Sequence, residues 1–243
     1  MNKVLLSCLL LTASNYVLAD AGNIAIQSFS KAKKLLQKEV YFDHRQTIYC
    51  NASFDEKKNI TLPSGYQSTK YKKRAKRVEW EHVVPAENFG RTFSEWREGD
   101  AKCVKKDGKP FKGRNCANKV NKEYRLIQSD LYNLFPAIGS VNAMRSNFNF
   151  TMLPGEESDF GSCAMKIDSK KAEPPIEARG RIARTYMYMD RTYSRYSMSK
   201  QQRKLMAVWD KQFPATEWEC LRAKRIEKLQ GNINTVMTER CSS

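Results

Sequence analysis

The sequence predicts an α+β protein, because one clear strand and a helical C-terminal third occur in the same chain. The strand covers residues 78–84, an apolar and aromatic run that Pro85 ends. From Pro174 onward, apolar residues recur at the three- and four-residue spacing of amphipathic helices. We find no internal repeat or low-complexity tract that would divide the 243 residues, so we expect one domain with one core.

The chain begins with the features of an export signal. Lys3 supplies a positive charge, an apolar stretch follows, and Ala19 ends a small-residue cleavage site. We therefore predict a signal peptide over residues 1–19 and a mature domain over residues 20–243, with the periplasm or the medium as its destination. Apolar residues at helical intervals then predict an amphipathic helix over residues 24–40.

The middle of the chain alternates between polar and apolar segments. Residues 97–123 are polar and lysine-rich, and we expect them to be irregular but held by a disulfide. Residues 124–134 and 138–146 predict two short helices separated by Pro136, and residues 147–150 alternate like a strand. In the C-terminal third, the predicted helices begin after Pro175, at Ser199 and at Pro214, and Gly231 ends the last one.

The charge balance points to a polyanionic partner. Lysine and arginine number 43 against 26 aspartates and glutamates, a formal net charge of +17. Nucleic acid is the first candidate partner, although many exported proteins are simply basic. No apolar run approaches the roughly 20 residues that cross a bilayer, so we expect no membrane span.

Cysteine usage fits an exported chain. Cys8 falls in the predicted signal peptide, and six cysteines remain. An even number in an exported protein indicates disulfides, for which fifteen connectivities are open. Sequence proximity favours Cys103 with Cys116 and Cys220 with Cys241, which leaves Cys50 with Cys163. A zinc site is the competing interpretation, but the chain has no C-x-x-C pair and no histidine at ligand spacing from a cysteine.

Two histidines limit the search for a catalytic base. His44 lies in a polar, turn-like stretch, whereas His82 follows Glu81 near the end of the predicted strand. A hydrogen-bonded core histidine is the plain alternative for His82. Against that alternative, carboxylates such as Glu81 are almost never buried without a partner or a metal.

Amides follow this pair in an otherwise apolar segment, at positions 133, 142, 147 and 149. Carboxylate and amide oxygens suit the hard cation Mg²⁺, which takes its remaining ligands from water and phosphate. A histidine beside such an ion can act as a general base on water. Basic segments on both sides would hold the backbone of a polyanion.

Several long motifs, in order along nearly the whole mature chain, carry a family resemblance. They are Arg-Val-Glu-Trp-Glu-His-Val-Val-Pro at 77–85, Asp-Leu-Tyr-Asn-Leu-Phe-Pro-Ala-Ile-Gly at 130–139 with Val-Asn at 141–142, Arg-Ser-Asn-Phe-Asn at 145–149, Arg-Gly-Arg-Ile-Ala-Arg-Thr-Tyr-Met-Tyr-Met at 179–189, and Trp-Glu-Cys at 218–220. With these motifs the chain resembles the endonuclease I family of periplasmic and secreted bacterial nucleases, which are built on a ββα-metal (His-Me) finger. The resemblance implies such a core within a mainly helical domain.

The resemblance also implies roles for individual residues. His82 is the expected general base, Glu81 and Asn142 the expected metal ligands, and Arg114 the nearest match to the arginine that stabilises the scissile phosphate. One Mg²⁺ is expected, with Mn²⁺ or Ca²⁺ able to substitute in binding. The implied activity is hydrolysis of DNA, with RNA as a second substrate, by a monomer that leaves 5′-phosphate ends and has little sequence specificity. Expected nucleic-acid contacts are Lys72, Lys73, Arg74, Lys76, Lys112 and Arg145.

Neighbouring residues of a regular strand point to opposite faces, so Glu81 and His82 can share a site only at a strand end or a bulge. Two other functional classes remain open at this point. A basic binding protein without catalysis would need only the lysines, and the intact Glu81–His82 pair argues against it. A cationic envelope-binding protein would be expected to carry an amphipathic terminal helix or a lipid anchor.

Overall fold

A computed structural model describes residues 22–242 of the chain. The signal peptide predicted over residues 1–19 lies outside these residues. The described part combines ten α-helices with seven short strands, which confirms the predicted α+β class. The helices are α1 (Phe29–Leu35), α2 (Ala86–Gly90), α3 (Ser94–Arg97), α4 (Arg114–Val120), α5 (Lys122–Gln128), α6 (Gly139–Arg145), α7 (Arg179–Thr192), α8 (Lys200–Gln212), α9 (Glu217–Gln230) and α10 (Thr235–Cys241). The strands are β1 (Ser53–Phe54), β2 (Ile60–Thr61), β3 (Val78–His82), β4 (Leu134–Ile138), β5 (Asn149–Phe150), β6 (Lys166–Asp168) and β7 (Lys171–Glu173).

Strands β3 and β4 form an antiparallel pair at the centre of the site region, in register from Val78 opposite Ile138 to His82 opposite Leu134. A helix lies on each side of Pro136 as predicted, but the first ends at Gln128 and not at residue 134, and Pro136 itself lies within β4, opposite Trp80. Among the described residues β4 pairs only with β3, and an edge strand tolerates a residue without an N–H. All five residues of β4 are buried, so no polar alternation marked it as a strand.

Helix α6 follows β4 without a loop, close to the predicted range 138–146. It packs against β3, β4 and the 3₁₀ turn Lys72–Lys76. Its first residue, Gly139, permits this approach: a Cβ there would lie 2.5 Å from the carbonyl oxygen of Arg74 and 2.8 Å from a carboxylate oxygen of Glu79. The basic stretch before β3 is thereby joined to the start of α6.

The N-terminal helix is shorter than predicted. Ser28 caps α1 by accepting a hydrogen bond from the Lys31 amide, and a π-helical turn, Leu36–Val40, continues it. The predicted residues 24–27 are not helical, and Ile24 is exposed. Ala32, Leu36 and Val40 enter the core.

Helices α7 to α10 form the C-terminal third. Ser199 caps α8 as predicted. Helix α9 begins after Thr216, two residues beyond the predicted Pro214, and Thr216 and Glu219 form a capping box there. Gly231, at φ 80°, ends α9 in the left-handed conformation. Helix α7 packs against α8 and α10. In the described part of the chain, no helix is both long enough and apolar enough to cross a bilayer.

The core and the disulfides join distant parts of the chain. One cluster of buried apolar side chains extends from Ile26 to Val236. Disulfides connect the two pairs that sequence proximity favours, Cys103–Cys116 and Cys220–Cys241, and the pair that these leave, Cys50–Cys163. The lysine-rich segment is more regular than predicted, because α3 and α4 form its ends and residues 103–112 form a hydrogen-bonded turn between them.

Candidate active site

A cleft of about 570 Å³ opens between β3, α6 and the start of α4. Four residues predicted from the sequence lie in its wall: Glu81, His82, Arg114 and Asn142. The cleft is also lined by Phe29, Lys33, Lys58, Val78, Glu79, Trp80, Pro85, Ala86, Glu87, Trp96, Ser146 and Asn147. Glu81 and His82 share this cleft because β3 ends at His82, as a common site for two neighbouring strand residues requires.

The His82 ring is held at one nitrogen. Its Nε2 lies 2.8 Å from the carbonyl oxygen of Gln128, and a carbonyl only accepts, so Nε2 carries the proton. The lone pair of the neutral ring is then on Nδ1. The ring also packs against Phe29, with ring centroids 5.0 Å apart. Burial, and then the positive charge of Arg114, lower the pKa of His82 to about 3, which keeps the imidazole neutral.

Glu81 is buried, yet within the described residues only one of its carboxylate oxygens accepts hydrogen bonds. Its Oε1 accepts hydrogen bonds from the Tyr49 hydroxyl and from Arg145 Nη1, each at 2.6 Å. Among residues 22–242, no hydrogen bond to Oε2 is present, and Glu81 lines the cleft. Burial raises the pKa of the Glu81 carboxyl, while the Arg145 guanidinium and the Tyr49 hydroxyl oppose that change.

Asn142 extends from α6 with its amide nitrogen already engaged. Nδ2 donates to Glu79 Oε2 at 2.9 Å, and Glu79 accepts two hydrogen bonds from Arg74, at 2.7 and 2.5 Å. Because the nitrogen is used by Glu79, the amide oxygen is the atom left to bind a cation. Glu79, itself paired with Arg74, therefore fixes the orientation of the Asn142 amide.

Arg145 corrects a sequence prediction. We expected it to contact nucleic acid, but its side chain is fully buried. Nη1 donates to Glu81 and, at 2.8 Å, to the His82 carbonyl, and Nη2 donates to the Val83 carbonyl at 2.6 Å. The prediction was wrong because Arg145 lies on the side of α6 that packs on β3. It supplies the partner that a buried Glu81 requires.

Arg114 begins α4 and is exposed, with its guanidinium 5.3 Å from the centroid of the Phe29 ring. Phe29 therefore lies against both His82 and Arg114. Four of the remaining predicted contact residues are exposed and free to meet a polyanion: Lys72, Lys73, Lys76 and Lys112. Arg74 is half exposed but is paired with Glu79.

Sequence reasoning missed three side chains of this site. Glu79 had a signal, because residues two apart on a strand share a face and the Glu-x-Glu spacing aligns Glu79 with Glu81. No sequence signal pointed to Tyr49 or Phe29, since they reach the site from distant segments of the chain. His44 is not part of the site: it stacks on Trp218, with centroids 4.0 Å apart, beside a different cavity.

Together these features define an enzyme-like cleft with a neutral histidine, a carboxylate and an amide in its wall. The family model for Endonuclease I matches residues 26–241. An extracellular deoxyribonuclease of Aeromonas hydrophila is 41% identical over 231 residues, which cover 92% of each chain. A periplasmic deoxyribonuclease of the same organism is 40% identical over 222 residues, covering 88% of this chain and 87% of the relative. Endonuclease-1 of Buchnera aphidicola subsp. Acyrthosiphon pisum is also 40% identical over 222 residues, covering 89% of this chain and 82% of the relative.

The chain is therefore a nuclease. It belongs to the Endonuclease I family.

Proposed function

We propose that this protein is an exported, metal-dependent endonuclease that hydrolyses phosphodiester bonds of DNA. Its relatives are named extracellular and periplasmic deoxyribonucleases, and the predicted signal peptide agrees with that location. One observation carries the proposal. Along the cleft, His82, Glu81 and Asn142 each have one polar atom fixed by the protein and a second left for a ligand.

We further propose that β3, β4 and α6 form a ββα-metal finger. The antiparallel pair followed directly by a helix has the required order, with the carboxylate on β3 and the amide on α6. Glu81 Oε2 and Asn142 Oδ1 are hard oxygen donors, which suit Mg²⁺, with Mn²⁺ or Ca²⁺ as substitutes in binding. A divalent ion held there would stabilise the charge that develops on the phosphate.

His82 would act as the general base. The Gln128 carbonyl holds the proton on Nε2, so Nδ1 takes a proton from the attacking water. The water oxygen forms a bond to phosphorus, the bond from phosphorus to the 3′ oxygen breaks, and that oxygen gains a proton from solvent. The products are a 5′-phosphate and a 3′-hydroxyl. Arg114, exposed beside Phe29 at the edge of the cleft, would pair with the phosphate.

Substrate selection would be weak. The exposed lysines lie in two separate places, the turn Lys72–Lys76 and residues 102–112 of the lysine-rich segment. Contacts of this kind fix the position of a nucleic acid without reading its bases. RNA is therefore a second candidate substrate, and we expect a monomer to suffice because the proposed chemical groups come from a single chain.

Nicking of supercoiled plasmid, with and without EDTA, tests the proposal. We expect cleavage that EDTA stops and that Mg²⁺ restores. In a Mg²⁺ titration, Glu81→Gln and Asn142→Ala should each raise the half-saturating concentration, whereas Glu217→Gln, an exposed carboxylate in the first turn of α9, should not. A half-saturating concentration equal to that of the unmodified protein in both cleft variants would remove them from the ligand set. Binding of DNA without any cleavage would instead favour a non-catalytic binding protein.

A further inference from the structure

Residues 103–112 form a small hairpin beside the cleft, referred to below as the basic hairpin. Its backbone is closed by hydrogen bonds from the Phe111 amide to the Cys103 carbonyl at 2.8 Å and from the Lys105 amide to the Lys109 carbonyl at 2.9 Å. At the tip, the Gly108 amide donates to the Lys105 carbonyl at 3.0 Å, with Gly108 at φ 79°. The hairpin therefore has a defined shape without any ligand.

The hairpin and its flank carry a dense positive charge. Their five lysines are all exposed: Lys102, Lys105, Lys106, Lys109 and Lys112. Asp107 is the one acidic residue within residues 103–112, and its carboxylate lies 3.5 Å from Lys109 Nζ. Holding like charges together in a fixed turn costs free energy unless a polyanion neutralises them. The hairpin thus presents charge that the packing of the protein does not use.

Three attachments fix the hairpin relative to the cleft. The Cys103–Cys116 disulfide joins its base to α4. The Gly113 amide donates to the Trp96 carbonyl at 3.0 Å, and Trp96 lines the cleft. Lys119, on α4, donates to the Lys102 carbonyl at 2.5 Å. Only Gly113 separates the end of the hairpin from Arg114, the residue proposed to hold the scissile phosphate.

We propose that the basic hairpin is a second phosphate-binding surface, which holds the nucleic-acid duplex several base pairs away from the cleaved bond. The inference rests on the proposed function, since it presumes a duplex in the cleft. An arm of five extended residues spans roughly 15 Å. A duplex rises about 3.4 Å per base pair, so the tip reaches phosphates about four base pairs from Arg114. The surface binds by charge and contributes no base readout.

The test replaces three tip lysines by alanine, Lys105→Ala, Lys106→Ala and Lys109→Ala, in one variant. A matched control removes the same charge from exposed helix positions outside the cleft, with Lys204→Ala, Lys211→Ala and Lys224→Ala. Binding of a duplex of about 20 base pairs is measured across salt concentrations in a His82→Ala background. Plasmid cleavage by the same variants with His82 intact gives kcat and KM.

We expect the hairpin variant to bind at least about 10-fold more weakly near 0.1 M salt, and the slope of log K against log salt to shrink by about two to three. Its kcat at saturating plasmid should match that of the unmodified protein, and the control should bind within about twofold. An unchanged slope in the hairpin variant, or an equal loss in the control, would overturn the proposal. If the protein binds the duplex but cleaves no plasmid, the proposed function is contradicted. The binding data would still test the hairpin separately.

Discussion

Two buried carboxylates, Asp130 and Glu81, show how the same chemical group serves different purposes in this chain. Asp130 accepts four hydrogen bonds: Oδ1 from the Tyr132 amide at 2.8 Å and Gln230 at 3.0 Å, and Oδ2 from the hydroxyls of Tyr188, at 2.7 Å, and Tyr193. All four donors are neutral. Both oxygens of Asp130 are thus occupied by the fold itself.

Glu81 has a different environment. Within residues 22–242, both of its donors, one of them the charged Arg145, meet at Oε1, no hydrogen bond reaches Oε2, and the residue lines the cleft. Burial raises the pKa of both carboxyls, so burial or a shifted pKa alone does not separate them. What separates them is whether the fold occupies one oxygen or both. A fully occupied carboxylate stabilises the protein, whereas a half-occupied one beside a cleft is available to a ligand.

The largest expected effect is on catalysis, at His82, the residue next to the half-occupied carboxylate Glu81. His82→Ala should lower kcat by about 10²–10⁴-fold, because it removes the proposed general base. The thermal midpoint and duplex binding should change little, since the ring makes one hydrogen bond, to a backbone carbonyl. Plasmid nicking by the purified variant at pH 6–9 is the measurement, and a rate equal to that of the unmodified protein would refute the assignment.

At Asp130, the fully occupied carboxylate, the expected effect is on the stability of the fold. Asp130→Ala removes the acceptor of four hydrogen bonds, three of them buried, and should lower the free energy of unfolding by about 3 kcal/mol or more. The kcat of the folded fraction should stay unchanged. Chemical denaturation measures the loss. Tyr188→Phe, which removes only one donor, should cost less, and a lower kcat in folded Asp130→Ala would show that the two regions are not separate.

A smaller effect is expected at Glu79, which accepts a hydrogen bond from the Asn142 amide and is not one of the proposed metal ligands. Glu79→Ala removes the acceptor of the Asn142 amide and should raise the Mg²⁺ concentration for half-maximal activity by about 10-fold. Glu79→Gln keeps a carbonyl acceptor and should recover most of the loss. If alanine and glutamine behave alike in the Mg²⁺ titration, Glu79 does not act through the amide.

The smallest expected effect is on the pH dependence of stability at Asp130. Because burial raises the pKa of Asp130, its protonated form is favoured in the folded protein. That contribution is full below the ordinary aspartate pKa of about 3.9 and is lost as pH rises through the raised value. The stability of the unmodified protein relative to Asp130→Asn, which cannot ionise, should therefore decline from acidic towards neutral pH. Parallel denaturation curves across this range test the sign, and a relative stability that rises with pH would contradict it.

Much of the fold could be predicted from the sequence, because short sequence patterns determine strands, helix ends and nearby disulfides. Strand β3, the N-cap of α8 at Ser199, the end of α9 at Gly231, and the disulfides Cys103–Cys116 and Cys220–Cys241 follow from short-range signals. The strand β4 did not, because its five residues are buried and carry a proline, which mimics a helix break. Pairing with β3 made it a strand, and that pairing joins residues 52 to 60 positions apart, from His82 with Leu134 to Val78 with Ile138.

The candidate site divides in the same way. His82, Glu81, Asn142 and Arg114 were placed by motifs, and all four line the cleft. The partners that fix them were not, since Tyr49 and Gln128 approach from remote segments. Arg145 shows the limit most clearly, because an arginine in a basic protein predicts a surface contact until packing places it beneath a buried carboxylate.

One measurement tests most directly whether the half-occupied carboxylate holds a metal: a crystal structure with Mn²⁺, read from its anomalous signal. We expect one peak in the cleft, about 2.0–2.3 Å from Glu81 Oε2 and from Asn142 Oδ1, with Tyr49 and Arg145 still bonded to Oε1. No peak is expected at Asp130. A cleft without a peak, or a Mn²⁺ ion held by Glu79 and Glu87 while Glu81 stays unliganded, would contradict it.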